Sequence, residues 1–154
     1  MPVHAEQKFL PFTPEQLYAL VADIEKYPQF LPWCVGARIR ERREREVIAD
    51  LVIGFKMIRE KFTSRVTLTP PGEGLAPRID VAYIDGPMRH MSNKWVFNAH
   101  PGGTMIDFHV DFEFRSKILE TLIGALFGEA VKRMVNAFEA RAHKLYGSPS
   151  LTPL

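Results

Sequence analysis

Residues 3–10 alternate, with Val3, Ala5, Gln7 and Phe9 on one side and His4, Glu6 and Lys8 on the other, the period of a half-buried strand. The first set carries the apolar side chains and is expected to face inward. Thr13-Pro14-Glu15-Gln16 reads as a helix start: Thr13 suits the cap, Pro14 the first helical position, and Gln16 completes a capping box. The helix is expected to reach about Ala22, with Leu17, Leu20 and Val21 inward. Asp23 is expected to cap a second short turn through Tyr27, which Pro28 stops. From about Val35 to Phe114 the pattern is β. Arg42 to Arg45 mark a charged hairpin tip. Residues 47–55 put Val47, Ala49, Leu51, Ile53 and Phe55 on one face, and 58–68 set Ile58, Phe62, Val66 and Leu68 against Arg59, Lys61, Thr63, Arg65 and Thr67. Pro70-Pro71-Gly72-Glu73-Gly74 is a turn. Ile79, Val81 and Tyr83 form another inward face ended by Asp85-Gly86-Pro87. Met91, Trp95 and Phe97 lead the next strand, closed by His100-Pro101-Gly102-Gly103. Ile106, Phe108, Val110, Phe112 and Phe114 give the clearest alternation of all. Over 117–146 the spacing turns helical, through Leu119, Leu122, Ile123, Leu126, Ala130, Met134, Phe138, Ala142 and Leu145. Gly147 and Pro149 end it, and 148–154 is expected to be a flexible tail.

One strand, two short helices, about six strands and one long helix predict an α+β fold, a single domain over 1–147. Its antiparallel sheet of about six to seven strands twists and therefore curls. The final helix is the element long enough to cover its apolar face. A curved sheet around one helix leaves space between them, lined by Trp33, Leu51, Phe62, Val81, Tyr83, Trp95, Phe97, Phe108, Phe112, Leu126, Met134 and Phe138. Glu60 and Ser64 share the inward parity of Phe62 and Val66. Either they serve as fixed polar groups in an apolar pocket, or Glu60 lies solvated at a frayed strand end. Gly124 and Gly128 either thin the long helix for a ligand or allow close packing on the sheet.

Composition agrees with a globular chain: 154 residues, 46% hydrophobic, 25% charged, with eleven Phe against four Tyr and two Trp. The net charge of +2 gives no reason to expect DNA. Cys34, the sole cysteine, excludes an internal disulfide and fits a reducing compartment. No apolar run approaches the roughly 18 residues of a membrane span. A strand beginning at Val3 leaves no room for a cleavable leader, so a cytoplasmic location is expected. Tyr27, Pro28, Phe30, Leu31, Pro32, Trp33 and Val35 form an apolar, proline-flanked loop beside the expected cavity, either a plug or a lid that docks on a membrane. Arg38, Arg40, Arg42, Arg43 and Arg45 interleave with Glu41, Glu44 and Glu46 and read as a soluble hairpin. The five histidines are scattered, no nucleophile or phosphate motif is present, and Asp107, His109 and Asp111 read as a solvated strand face. No catalytic residue, metal site or cofactor is expected.

Asp23-Ile24-Glu25-Lys26-Tyr27-Pro28-Gln29-Phe30-Leu31-Pro32-Trp33-Cys34 resembles the helix–loop signature of the coenzyme Q-binding family. Asp85-Gly86-Pro87 with Asn93, Trp95 and Phe97 resembles its central motif, and Phe112, Phe114 and Ser116 its approach to the last helix. Ala137-Phe138, Arg141-Ala142 and Leu145-Tyr146 resemble its end. Met88 and Met91 depart from the more usual Phe and Leu. The family is a branch of the polyketide-cyclase/START-like superfamily, which also holds the ribosome-association toxins. The resemblance implies a helix-grip fold that sequesters ubiquinone or a similar polyprenyl lipid for respiratory electron transport, with peripheral contact at the inner membrane. It equally admits binding to the large ribosomal subunit, and, third, a cyclase or aromatase.

Overall fold

The computed structural model describes residues 3–55, 58–72 and 76–147, without the side chains of residues 55, 58, 119 and 122–128. Strand β1 (Val3–Leu10) leads into helix α1 (Pro14–Ala22) and a 3₁₀ helix (Ile24–Gln29). Six strands follow: β2 (Cys34–Arg42), β3 (Glu46–Phe55), β4 (Ile58–Thr69), β5 (Arg78–Asp85), β6 (Met88–His100) and β7 (Gly103–Phe114). Helix α2 (Lys117–Tyr146) ends the described chain. The seven strands form one antiparallel sheet in the order β1-β7-β6-β5-β4-β3-β2. The two short helices therefore carry the chain from one edge of the sheet to the other.

Local chemistry sets the element ends. The Thr13 hydroxyl accepts the Gln16 N–H at 3.1 Å, and the Gln16 side chain accepts the Thr13 N–H at 3.0 Å, the expected capping box. Asp23 makes no such bond at the 3₁₀ helix, and Pro28 lies within that helix rather than ending it. The turn continues past the proline because the Phe30 and Leu31 N–H groups both donate to the Tyr27 carbonyl, at 3.2 and 2.9 Å. At the β6–β7 turn a Cβ on Gly103 would meet the Leu10 carbonyl at 2.2 Å, so only glycine lets the two segments close. Gly147, at φ 79°, ends α2 with its N–H donated to the His143 carbonyl at 2.9 Å.

The core lies between the sheet's concave face and the helices, and includes Leu17, Leu20, Val47, Ile79, Phe97, Ile106, Phe138 and Ala142. In β1 the faces are the reverse of the expectation. Val3, Ala5, Gln7 and Phe9 are exposed, while His4, Glu6 and Lys8 are part-buried and Leu10 is buried. As an edge strand, β1 presents its inner face to the flank of α2, where Lys8 pairs with Glu139 at 2.8 Å. Leu145, expected inward, is exposed in the last turn of α2. The tail at 148–154 and parts of the 70–74 turn lie outside the described residues. Among the described residues no helix is long and apolar enough to cross a membrane.

Candidate functional site

A cavity of about 360 Å³ separates the concave face of the sheet from α2. That volume is near the low end of the roughly 300–1,000 Å³ usual for small-molecule pockets. Strands β3 and β4 contribute Ala49, Leu51, Ile53, Glu60, Phe62, Ser64 and Val66, and β5 contributes Ile79 and Val81. Strands β6 and β7 add Met88, Met91, Asn93, Trp95, Phe108, Val110, Phe112 and Phe114. Helix α2 closes it with Ala130, Val131, Met134 and Phe138. Val21, Ile24, Tyr27 and the segment Leu31–Cys34 form the remaining wall.

The strand period explains most of this wall, and its interruptions explain the rest. Leu51, Phe62, Val81, Trp95, Phe108, Phe112, Met134 and Phe138 line the cavity as their spacing predicts, and so do Trp33, Glu60 and Ser64. Glu60 is therefore part of the wall rather than a solvated strand end. Phe97 does not reach the wall: it is wholly buried behind it, stacked on Trp95 and edge-on to Tyr18. Tyr83 also lies outside the lining. A register slip between β4 and β5 at Thr63/Ser64 displaces that strand end, and the Tyr83 hydroxyl accepts the Met88 N–H at 3.0 Å. The side chain of Leu126 lies outside the described residues, as do those of Leu119, Leu122, Ile123 and the stretch containing Gly124 and Gly128.

Spacing alone misses several wall residues. A slip between Met88 and His90 in the β6–β7 register turns Met88 and Met91 both inward despite their three-residue separation. Strict alternation cannot cross such a bulge. Val131 did carry a signal, since 131, 134 and 138 share one helical face.

Several polar groups of the wall are hydrogen-bonded within the protein. Trp95 Nε1 donates to Asn93 Oδ1 at 3.0 Å, and Asn93 Nδ2 donates to the His109 carbonyl at 2.8 Å. The indole is thus satisfied at its edge and offers its ring to the cavity. Trp95 packs on Phe108 and Phe138 at centroid distances of 4.6 and 5.0 Å. The Cys34 thiol donates to the Gly36 carbonyl at 3.6 Å, and burial pushes its pKa up. The Tyr27 hydroxyl donates to the Val21 carbonyl. Burial, with lesser contributions from Cys34 and Asp23, raises it far above the ordinary tyrosine range.

The apolar loop is both wall and surface. Tyr27, Leu31, Pro32 and Trp33 turn to the cavity, and Phe30 packs on Phe138 at 5.3 Å beneath the Arg141 guanidinium. Pro28 and Val35 are exposed. Trp33 takes φ 65°, a left-handed conformation that is unfavourable for a bulky residue, and its carbonyl accepts the Gly54 N–H at 2.8 Å. Strain of this kind collects at ligand clamps and switch segments. At the same end of the sheet Gly86, φ 147°, lies where a Cβ would come within 2.7 Å of Phe62.

On the outer face of the sheet the polar side chains pair with one another. Asp107 accepts from Gln7 and Asn98, and Asp111 meets His90 at 3.1 Å. Arg43 pairs with Glu41 at the hairpin tip, and Arg38 and Arg40 approach Asp50. Among the described residues no cluster of three potential metal ligands occurs.

The family model for polyketide cyclase / dehydrase and lipid transport matches residues 10–139. The ribosome association toxin RatA of Rickettsia prowazekii is 44% identical over 138 residues, covering 90% of this chain and 94% of the relative. The mitochondrial coenzyme Q-binding protein COQ10 homolog B of Xenopus laevis is 32% identical over 149 residues, 94% of this chain and 59% of the relative. The solution structure of the 18 kDa protein CC1736 from Caulobacter crescentus superposes with a TM-score of 0.76 at 36% identity, covering 96% of this chain and all of the other. With this sheet, this helix and these relatives, the chain belongs to the polyketide cyclase / dehydrase and lipid transport family, in the START-like branch shared by proteins named for coenzyme Q binding and for ribosome association.

Proposed function

We propose that the protein takes up ubiquinone or a similar polyprenyl lipid in the cavity between sheet and helix, and acts as a carrier in respiratory electron transport rather than as an enzyme. The observation that carries this reading is a hollow lined mainly by Phe, Trp, Met, Leu, Ile and Val, at a position where a solid core would be expected. Each buried CH₂ contributes roughly 0.8 kcal/mol, so a prenyl chain binds such a wall with few polar contacts. At about 360 Å³ the space takes the head and first units of a long prenyl lipid, and the rest of the tail extends past the loops. The name of the Xenopus relative supports the choice of ligand.

Contact with the inner membrane follows from the same reading. Val35, Ile84 and Ile118 are exposed at the end of the sheet where Leu31–Cys34, Pro87 and Phe114 border the cavity. Exposed Arg89, Arg115 and Lys117 stand near Ile84 and Ile118 in the chain, and exposed Arg59 pairs across the strands with Gly54, beside Val35; these cations suit an anionic headgroup layer. No catalytic residue is assigned, and no cofactor besides the bound lipid. Denaturing extraction of the purified protein followed by mass spectrometry tests the proposal. A quinone or other prenyl lipid above a mock control is expected, and its absence counts against the carrier role.

A second reading rests on the Rickettsia relative, whose name ties it to ribosome association. In that reading this chain binds the large ribosomal subunit and blocks subunit joining. Sucrose-gradient profiles after overexpression distinguish the two, since loss of joined ribosomes supports the second and unchanged profiles oppose it.

A further inference from the structure

Ser64 is 5% exposed, lines the cavity from the middle of β4, and its Oγ has no hydrogen-bond partner among the described residues. Its strand neighbours across the sheet are Ala49 and Tyr83, and Phe62 and Val66 flank it on the same face. A buried hydroxyl left unpaired is destabilising, and native proteins keep few such groups without a use. Two other polar groups of the wall are engaged: Asn93 bonds both to Trp95 and to the His109 carbonyl, and Cys34 to the Gly36 carbonyl. Four residues back on the same face, about 13 Å along the strand, Glu60 also lines the cavity. Among the described residues no Lys, Arg or His lines it.

From this arrangement we infer that the cavity selects a neutral lipid carrying a carbonyl or hydroxyl oxygen, which is hydrogen-bonded by the Ser64 hydroxyl, and that it rejects ionised fatty acids. This rests on the lipid-binding reading and adds the ligand's polarity and the position of its oxygen. A serine hydroxyl both donates and accepts, so it serves a quinone carbonyl or a prenyl alcohol equally. A carboxylate head would find no counter-charge in the described wall and would share the cavity with Glu60.

Three probes separate these ideas, titrated into the full chain and followed by the fluorescence of Trp33 and Trp95: geranylgeraniol, the saturated hydrocarbon phytane, and palmitate at pH 8. Wild-type protein is expected to bind geranylgeraniol at least tenfold more tightly than palmitate, a roughly 1.4 kcal/mol difference. Ser64→Ala is expected to weaken geranylgeraniol roughly tenfold while leaving phytane unchanged, as loss of one ligand hydrogen bond predicts. Its ligand-free melting temperature should not fall, because no internal bond is lost, and that readout separates a lost subsite from a damaged fold. Glu60→Gln is expected to tighten palmitate. Equal effects of Ser64→Ala on alcohol and hydrocarbon, or no effect on either, overturn the subsite while the lipid cavity stands. Palmitate bound as tightly as geranylgeraniol by the wild type overturns the selection by charge. Failure of the wild type to bind any probe overturns the lipid-cavity reading, and the subsite with it.

Discussion

At the scale of single residues, the groups that matter most are polar ones in apolar surroundings. Asp50 sits on the outer face of β3, where alternation predicts a solvated carboxylate. It is instead buried, accepts the Thr63 hydroxyl at 2.6 Å, and is approached by the exposed Arg38 and Arg40. Long arginine stems cover apolar surface while their heads reach a neighbour, an arrangement that period-two counting cannot anticipate. Asp50→Ala leaves the buried Thr63 hydroxyl without its acceptor and is expected to cost about 2 kcal/mol in urea unfolding, with an unchanged m-value. A loss below about 0.5 kcal/mol, the size of an ordinary surface change, contradicts this view of the pair. Tyr27 supplies a pH test. Its folded pKa is raised above the unfolded value, so the folded state holds its proton after the unfolded chain has released it. Its contribution is therefore intact below about pH 10, the ordinary tyrosine pKa, and is lost above it. Stability measured by denaturant from pH 7 to 11 should fall steeply near the top of that range, and less steeply in Tyr27→Phe.

At the scale of elements, the loop and the final helix act as a pair. Phe30 packs edge-on against Phe138 and lies 5.1 Å beneath the Arg141 guanidinium, which also donates to Gln29 at 3.2 Å. These contacts pin the segment whose other side, Leu31 to Cys34, faces the cavity. Arg141→Ala removes a cation–π contact and an exposed hydrogen bond, together about 1 kcal/mol. Faster amide exchange confined to residues 27–33 is expected, with global stability nearly unchanged, whereas uniform acceleration throughout the chain speaks against a local latch. The elements themselves were legible in the sequence wherever one physical rule governed them. The Thr13–Gln16 cap, the inward faces of β3, β4 and β7 at their described side chains, and the helical period through Met134 and Phe138 all appear as spacing predicts. The failures lie where a second influence intervenes. An edge strand facing a helix flank inverted Val3 to Phe9, and register slips removed Tyr83 from the wall and brought Met88 into it. Phe97 had the right parity but lies one layer behind the wall, a matter of depth that alternation does not encode.

At the scale of the molecule, a twisted seven-stranded sheet and a 30-residue helix, about 45 Å long, enclose more space than their described side chains fill. Dry apolar cavities of this kind are unfavourable unless something occupies them. The most direct test fills the hollow by mutation and asks whether binding disappears while the fold remains. Ala130, on the cavity face of α2, is only part-buried, so Ala130→Phe places a ring in the space without displacing a tightly packed neighbour. Decylubiquinone titrated into wild-type protein should quench Trp33 and Trp95 in a saturable, one-to-one manner. The same titration of Ala130→Phe, melting no lower than the wild type, should show at least a tenfold loss of affinity. Equal quenching in both proteins, or no saturable binding to the wild type, contradicts the claim that this cavity is where the protein holds its lipid.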